Sequence, residues 1–195
     1  NFAIVNAGAN LIGLTRAELS DAVAGLGVPE RQRNGRVGEL LRWMYNRVAA
    51  EFVEMRDPGK DLRPCLHEGH NVTLPGIATT QNSTDRTIKW LLRLADGNNI
   101  EMVYIPEQEH GALCVSSQVG CTLNCRFCHT GTMRLVRNLT AGEIVGQVML
   151  TRDALGEWPK GRMDGFEDEE DANGAYVSGY SPNGRLLTNI VMMGM

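Results

Sequence analysis

The sequence predicts an α/β protein, and three observations lead to that class. Residues 87–105 alternate apolar and polar side chains on either side of Asp96-Gly97-Asn98-Asn99, the pattern of a β-hairpin about a tight turn. Leu113 to Ser117, a helix start at Thr140 and a compact apolar run from Leu186 to Met193, consistent with a buried parallel strand, follow in the order strand, helix, strand, which makes one βαβ unit. The first 80 residues carry helix signals instead.

Taken in order, Thr15-Arg-Ala-Glu18 reads as a capping box, and the short helix it opens should end near Leu26, before Gly27 and Pro29. A longer helix is expected from Val37 to Phe52, because Val37, Leu40, Leu41, Met44, Tyr45 and Val48 recur at helical spacing. Arg36, Arg42 and Arg47 lie off that stripe and read as a solvated face in preference to an RNA-phosphate surface. Pro58-Gly59, Pro64 and Leu74-Pro-Gly76 mark breaks. In the hairpin, Ile88, Trp90, Leu92 and Leu94 should share one face and Lys89 and Arg93 the other. Glu101 falls on the same strand face as Val103 and Ile105, and spacing alone favours a solvated edge residue. Thr140-Ala-Gly-Glu143 is a second capping box, opening a helix whose Ile144, Val145, Val148, Met149 and Leu155 form one face, with Gly156 and Pro159 ending it. Residues 157–184 are polar, acidic and Gly-rich, and read as a long mobile surface insertion.

The domains expected are a helical accessory domain over 1–80, the hairpin over 81–106, and a core that begins at 107 and is still incomplete at 195. A chain of 195 residues that is 43% hydrophobic can bury a real core. No basic leader precedes the first apolar residues, and no apolar run approaches the roughly 18–20 residues of a membrane span. A cytoplasmic, reducing location without membrane partners is therefore expected, and cysteines there serve as ligands or redox thiols more often than as a disulfide framework. The net charge of −4 lies entirely in the last 45 residues, mostly in Gly165-Phe-Glu-Asp-Glu-Glu-Asp171, so it neither excludes nor favours a nucleic-acid partner for the rest.

Three of the five cysteines lie in Cys121-Thr-Leu-Asn-Cys125-Arg-Phe-Cys128, spaced C-x3-C-x2-C directly after a strand. Zinc on Cys121, Cys125, Cys128 and His129 is one reading. It suffers from the adjacency of Cys128 and His129 and from the lack of a second ligand pair. Covalent haem on Cys125-Arg-Phe-Cys128-His129 is another, but it requires export and leaves Cys121 without a role. The third is a 4Fe–4S cluster on three thiolates, with one iron left open. Cys65, with His67 and His70 nearby, has no second pair at ligand spacing and reads as structural.

The C-x3-C-x2-C loop, with Phe127 before its last cysteine, resembles that of the radical S-adenosylmethionine (SAM) enzymes. From about Lys89 to Arg152 the chain is similar to the RlmN-type dual-specificity RNA adenine-C2 methyltransferases of that superfamily. Glu101-Met-Val-Tyr-Ile-Pro106, Leu113-Cys-Val-Ser-Ser-Gln-Val-Gly-Cys121, His129-Thr-Gly-Thr and Arg134-Leu-Val-Arg-Asn-Leu-Thr140 carry the similarity. Leu41-Arg-Trp-Met-Tyr45 and Lys60-Asp-Leu-Arg63 extend it more loosely into the first 80 residues.

The resemblance implies the N-terminal part of a partial TIM-type barrel and a cluster on Cys121, Cys125 and Cys128 that binds SAM at its open iron. It implies 23S rRNA and tRNA as substrates, an electron donor such as flavodoxin, and a monomer. In this family one SAM methylates a C-terminal cysteine, and a second SAM generates the radical that activates that methyl group. A base then takes the C2 proton, and a second cysteine releases the adduct as a disulfide. By position Glu101 matches the proton acceptor, which reverses the reading from spacing, and Cys114 is assigned a supporting thiol role. The chain stops at Val191-Met-Met-Gly-Met195, before the family's Gly-Glu-Pro segment and methyl-carrying cysteine. It is therefore expected to be the N-terminal half of a longer enzyme, or a truncated form of one, and inactive alone. The related C8-adenine resistance enzymes share these features, and a non-catalytic iron–sulfur or RNA-binding protein is the alternative from another class.

Overall fold

The computed structural model describes residues 8–45, 52, 55, 62–107, 110–123, 125, 132–157 and 186–193. Arg47, Val48, Phe127, Cys128, His129 and all but the first residue of the acidic insertion lie outside the described residues. The chain divides into two compact units, one with residues up to Thr73 and one beginning at Leu74.

In the first unit Ala9–Asn10 (β1) pairs in parallel with His70–Asn71 (β2). Arg16–Gly25 (α1), Glu30–Tyr45 (α2) and Leu62–Gly69 (α3) come between them in the chain. The capping box at Thr15 forms as expected: Thr15 accepts from the Glu18 N–H, and the Glu18 carboxylate accepts from the Thr15 N–H at 2.7 Å. α2 starts seven residues before the expected Val37. Its first two turns, Glu30 to Arg36, are polar and show no apolar periodicity, while Glu30 suits the positive end of the helix dipole. Val37, Leu40 and Met44 are buried as expected, together with Trp43. The Tyr45 hydroxyl accepts from the Gly13 N–H at 2.8 Å. Arg36 pairs with Glu39 at 2.8 Å on the polar side.

The second unit contains Gly76–Asn82 (β3), Ile88–Arg93 (β4), Asn99–Pro106 (β5), Gly111–Ser116 (β6), Gln118–Val119 (β7), Arg137–Asn138 (β8), Ala141–Leu155 (α4) and Asn189–Met193 (β9). Five strands form one sheet in the order β3-β4-β5-β6-β9. The first three pairings are antiparallel and β6–β9 is parallel. The hairpin and the βαβ unit therefore form as the sequence indicates. At the hairpin turn Asp96 Oδ1 accepts from the Asn98 N–H at 3.0 Å, and Gly97 takes φ 85°.

One face of the sheet holds the core. Trp90, Leu92, Ile100, Met102, Tyr104, Leu113 and Val115 are buried there, with Ile144, Val148, Leu150 and Leu155 of α4 packed against them. The opposite face carries Lys89, Glu101, Val103 and Cys114.

Two features differ from what the sequence indicates. β3 has no sequence signal beyond the break at Leu74-Pro-Gly76: all seven of its residues are exposed, so no apolar alternation announces it, and its pairing with β4 makes it a strand. The run at 186–193 was expected to be a buried strand. Instead Ile190, Val191 and Met192 of β9 are 52%, 48% and 58% exposed. β9 is the last strand of the sheet, and no described strand pairs with its outer edge.

Candidate functional site

The cysteine loop begins where β6 ends. The β5–β6 ladder closes at Val103↔Cys114. Two residues further on, the Ser116 backbone turns to a side chain instead: its N–H donates to Gln147 Oε1 at 2.9 Å, and its carbonyl accepts from Gln147 Nε2 at 3.0 Å. Ser116 Oγ donates to the Glu101 carbonyl at 2.6 Å. Ser117 follows, its N–H and Oγ both donating to the Met193 carbonyl, at 2.9 and 2.7 Å. The end of β6 is thus tied to α4, β5 and β9.

β7 then pairs antiparallel with β8, so the chain on the two sides of the loop is joined as a short ribbon. The Cys121 N–H donates to the Met133 carbonyl at 3.1 Å, and the Val136 N–H donates to the Val119 carbonyl at 2.8 Å. Gly120 makes this approach possible. Its φ is +78°, and a Cβ there would lie 2.1 Å from the Arg134 carbonyl oxygen.

Arg137 locks the returning strand. Its guanidinium forms two bonds with Glu143, both 2.8 Å, and reaches Asp96 in the hairpin turn at 2.7 Å. Glu143 is also the third residue of the α4 capping box, accepting from the Thr140 N–H at 2.8 Å. Hydrogen bonds from Asn98, and then from Arg137, bring Asp96 down to about 2. The Arg137 hydrogen bonds likewise lower Glu143, while those from Glu143 and Asp96 raise Arg137 against the desolvation of its partial burial. All three groups are held ionised as one network.

Among the candidate ligands, Cys121 and Cys125 are half-buried and unbridged. The Leu123 N–H donates to Cys121 Sγ at 3.3 Å, the kind of contact that stabilises a ligating thiolate. Cys121, Thr122, Leu123, Thr132, Met133, Arg134 and Leu135 line an open depression. Two accessible thiols, one with an N–H aimed at its sulfur, fit an iron–sulfur cluster. Among the described residues no three metal-binding side chains come together, and Cys128 lies outside them.

Glu101 is not at a sheet edge. β5 is an inner strand, and Glu101 forms an ion pair with Lys89 of β4 at 2.7 Å, both side chains part-exposed. Cys114 is a free, half-buried thiol on the neighbouring strand. Its cross-strand partner Val103 is two residues from Glu101, so Glu101 and Cys114 share the face opposite α4. Cys65 and His67 are exposed on α3, and His70 is in β2, all in the first unit.

Sequence reasoning missed Gln147, Ser116 and Arg137. The Thr140–Glu143 capping box was visible, but the second use of Glu143 by Arg137 was not. Gln147 has no local signal, because its partner is a backbone 31 residues away.

Residues 9–72 match the family model described as the ribosomal RNA large subunit methyltransferase N-terminal domain. The chain is 57% identical over 186 residues to the dual-specificity RNA methyltransferase RlmN of Erythrobacter litoralis, covering 95% of this chain and 43% of that protein. It is 51% identical over 189 residues to the protein of the same name from Paracoccus denitrificans, covering 97% of this chain and 44% of the relative. Among solved structures, a radical SAM methyltransferase from Sphaerobacter thermophilus superimposes with TM-score 0.68 at 37% identity, covering 76% of this chain and 43% of the other. The chain thus spans less than half the length of the curated relatives it matches. The sequence is thus similar to the N-terminal part of proteins named RlmN, and its fold to that of a radical SAM methyltransferase.

Proposed function

We propose that this chain is the radical-generating part of an RNA methyltransferase that methylates C2 of adenine in 23S rRNA and tRNA. The observation that carries this reading is the C-x3-C-x2-C loop leaving the end of β6, within a sequence 57% identical to an RlmN protein. Cys121, Cys125 and Cys128 would hold a 4Fe–4S cluster with SAM at its open iron. When bound, that cluster supplies the electron that cleaves SAM. The sheet from β3 to β9 would begin a partial TIM-type barrel, which puts its chemistry at the C-terminal ends of strands, where this loop lies. The unit up to Thr73 would form the helical accessory domain, short of the boundary expected at residue 80 because β3 joins the sheet, and the unit beginning at Leu74 would hold the hairpin and the start of the core.

Glu101 would take the C2 proton of the base. Lys89 engages Oε1, and Oε2 would receive the proton. Cys114, on the same sheet face, would serve as the supporting thiol. The cytoplasm as location, a flavodoxin-like electron donor and a monomeric state complete the reading; no helix among the described residues is long and apolar enough to cross a membrane.

The test is to fuse this chain to the remaining C-terminal part of the Erythrobacter relative and to express it in cells lacking adenine-C2 methylation. Nucleoside mass spectrometry of the 23S rRNA and tRNA should then show 2-methyladenosine. Appearance of 8-methyladenosine, or of neither product from a soluble fusion that holds its cluster, would refute the proposal.

A further inference from the structure

We propose that Gln147 is a positioning residue that sets the geometry of the cysteine loop by fixing the end of β6. The inference deepens the functional reading and rests on it in taking that loop as the cluster site.

Gln147 is fully buried in the middle of α4. A buried carboxamide is costly unless its hydrogen bonds are made, and packing alone would be served better by Leu or Met. Here the amide makes three bonds: it accepts from the Ser116 N–H, and it donates to the carbonyls of Ser116 and Glu143, the last at 3.3 Å. Toward Ser116 the side chain acts as a peptide group would. It supplies one acceptor and one donor beyond the point where the β5 ladder stops. Glu cannot donate in its ionised form, and Met offers neither function, so this pairing is specific to a carboxamide.

The position of the clamp is what links it to the loop. Ser116 lies five residues before Cys121, and the intervening Ser117 to Gly120 are tied to β9 and β8. The same helix grips the far side of the loop through Glu143 and Arg137 of β8. α4 therefore holds both flanks of the loop within its first two turns, one by an amide and one by a carboxylate. Thr151, one turn further on and also buried, donates to the Gln147 carbonyl at 3.0 Å, but makes no such contact with the loop flanks.

The test compares Gln147→Met with Met149→Ala, a core truncation two residues away on the same helix, by amide hydrogen exchange on the 195-residue chain without metal. In Gln147→Met the Ser117, Cys121 and Leu139 amides should exchange about ten-fold faster or more, as loss of a doubly bonded buried partner allows, while the Trp90 and Met102 amides keep their rates. Met149→Ala should accelerate both groups alike or neither. Equal acceleration of the two groups in Gln147→Met, or unchanged loop amides, would overturn the proposal. A second arm measures bound iron and the EPR signal after anaerobic reconstitution. Gln147→Met should give an altered EPR line shape per cluster, and Met149→Ala the wild-type one. If the wild-type chain takes up no iron, the cluster reading fails, while the exchange ratio still decides the role of Gln147.

Discussion

Replacing Gly120 with alanine should cost far more stability than the same change at Gly97, although both glycines adopt left-handed backbone, with φ +78° and +85°. At Gly97 an added Cβ meets nothing within 4 Å, so the loss is the conformational term alone, about 1 kcal/mol. At Gly120 the Cβ would lie 2.1 Å from the Arg134 carbonyl oxygen and 2.8 Å from its carbon, against an ordinary contact of 3.4–4 Å. Both atoms are backbone, so no flexible side chain can swing aside. The backbone at Arg134 must move by about 1 Å or more. That shift breaks the Cys121–Met133 and Val136–Val119 bonds, each worth about 1 kcal/mol net. The predicted loss at Gly120 is therefore about 3 kcal/mol, against about 1 at Gly97. Urea denaturation followed by circular dichroism gives both values. Equal losses at the two positions would show that close approach of the chain to the Arg134 backbone is not what Gly120 provides.

Other outcomes follow from the same geometry. Asp96 titrates at about 2 in the folded chain against an ordinary 3.8. Its depressed value stabilises the fold fully above the ordinary one, and that contribution disappears as pH falls through about 2. In Asp96→Asn the denaturation midpoint should therefore fall less steeply with acid over that window than in the wild type; parallel profiles would count against the hydrogen bonds that Asp96 accepts from Asn98 and Arg137. Lys89→Met should change stability by about 0.5 kcal/mol or less, because its ion pair with Glu101 is substantially exposed and screened; a loss of several kcal/mol in urea would show that the pair is structural. Cys121→Ser and Cys125→Ser should lose most of the iron taken up on reconstitution, whereas Cys65→Ser, at an exposed position of α3, should retain it. Iron loss in Cys65→Ser would move the metal site to the first unit.

The parts of the fold that could be read from sequence are those fixed by neighbours in the chain. Thr15–Glu18 and Thr140–Glu143 specify helix starts within four residues, and both capping boxes form. The Asp96–Asn99 turn specifies its own hairpin. β3 and the first two turns of α2 were not legible, because exposed or polar residues carry no period and tertiary pairing or helix propagation decides them. The apolar run at 189–193 gave the strand and its parallel partner but not its exposure, which depends on what lies beyond its outer edge. At the candidate site the thiols were legible from spacing. The groups that hold their loop were not: Gln147 reaches 31 residues back and Arg137 reaches 41, and neither distance leaves a local pattern.

The central claim is that Cys121, Cys125 and Cys128 hold a 4Fe–4S cluster with an open iron. Anaerobic reconstitution of the chain, followed by EPR of the reduced protein with and without SAM, tests it most directly. The account predicts broad iron–sulfur absorption, close to four irons per chain for one such cluster, and an EPR signal that changes when SAM is added. A colourless protein carrying zinc, a sharp Soret band, or a cluster signal indifferent to SAM would contradict it.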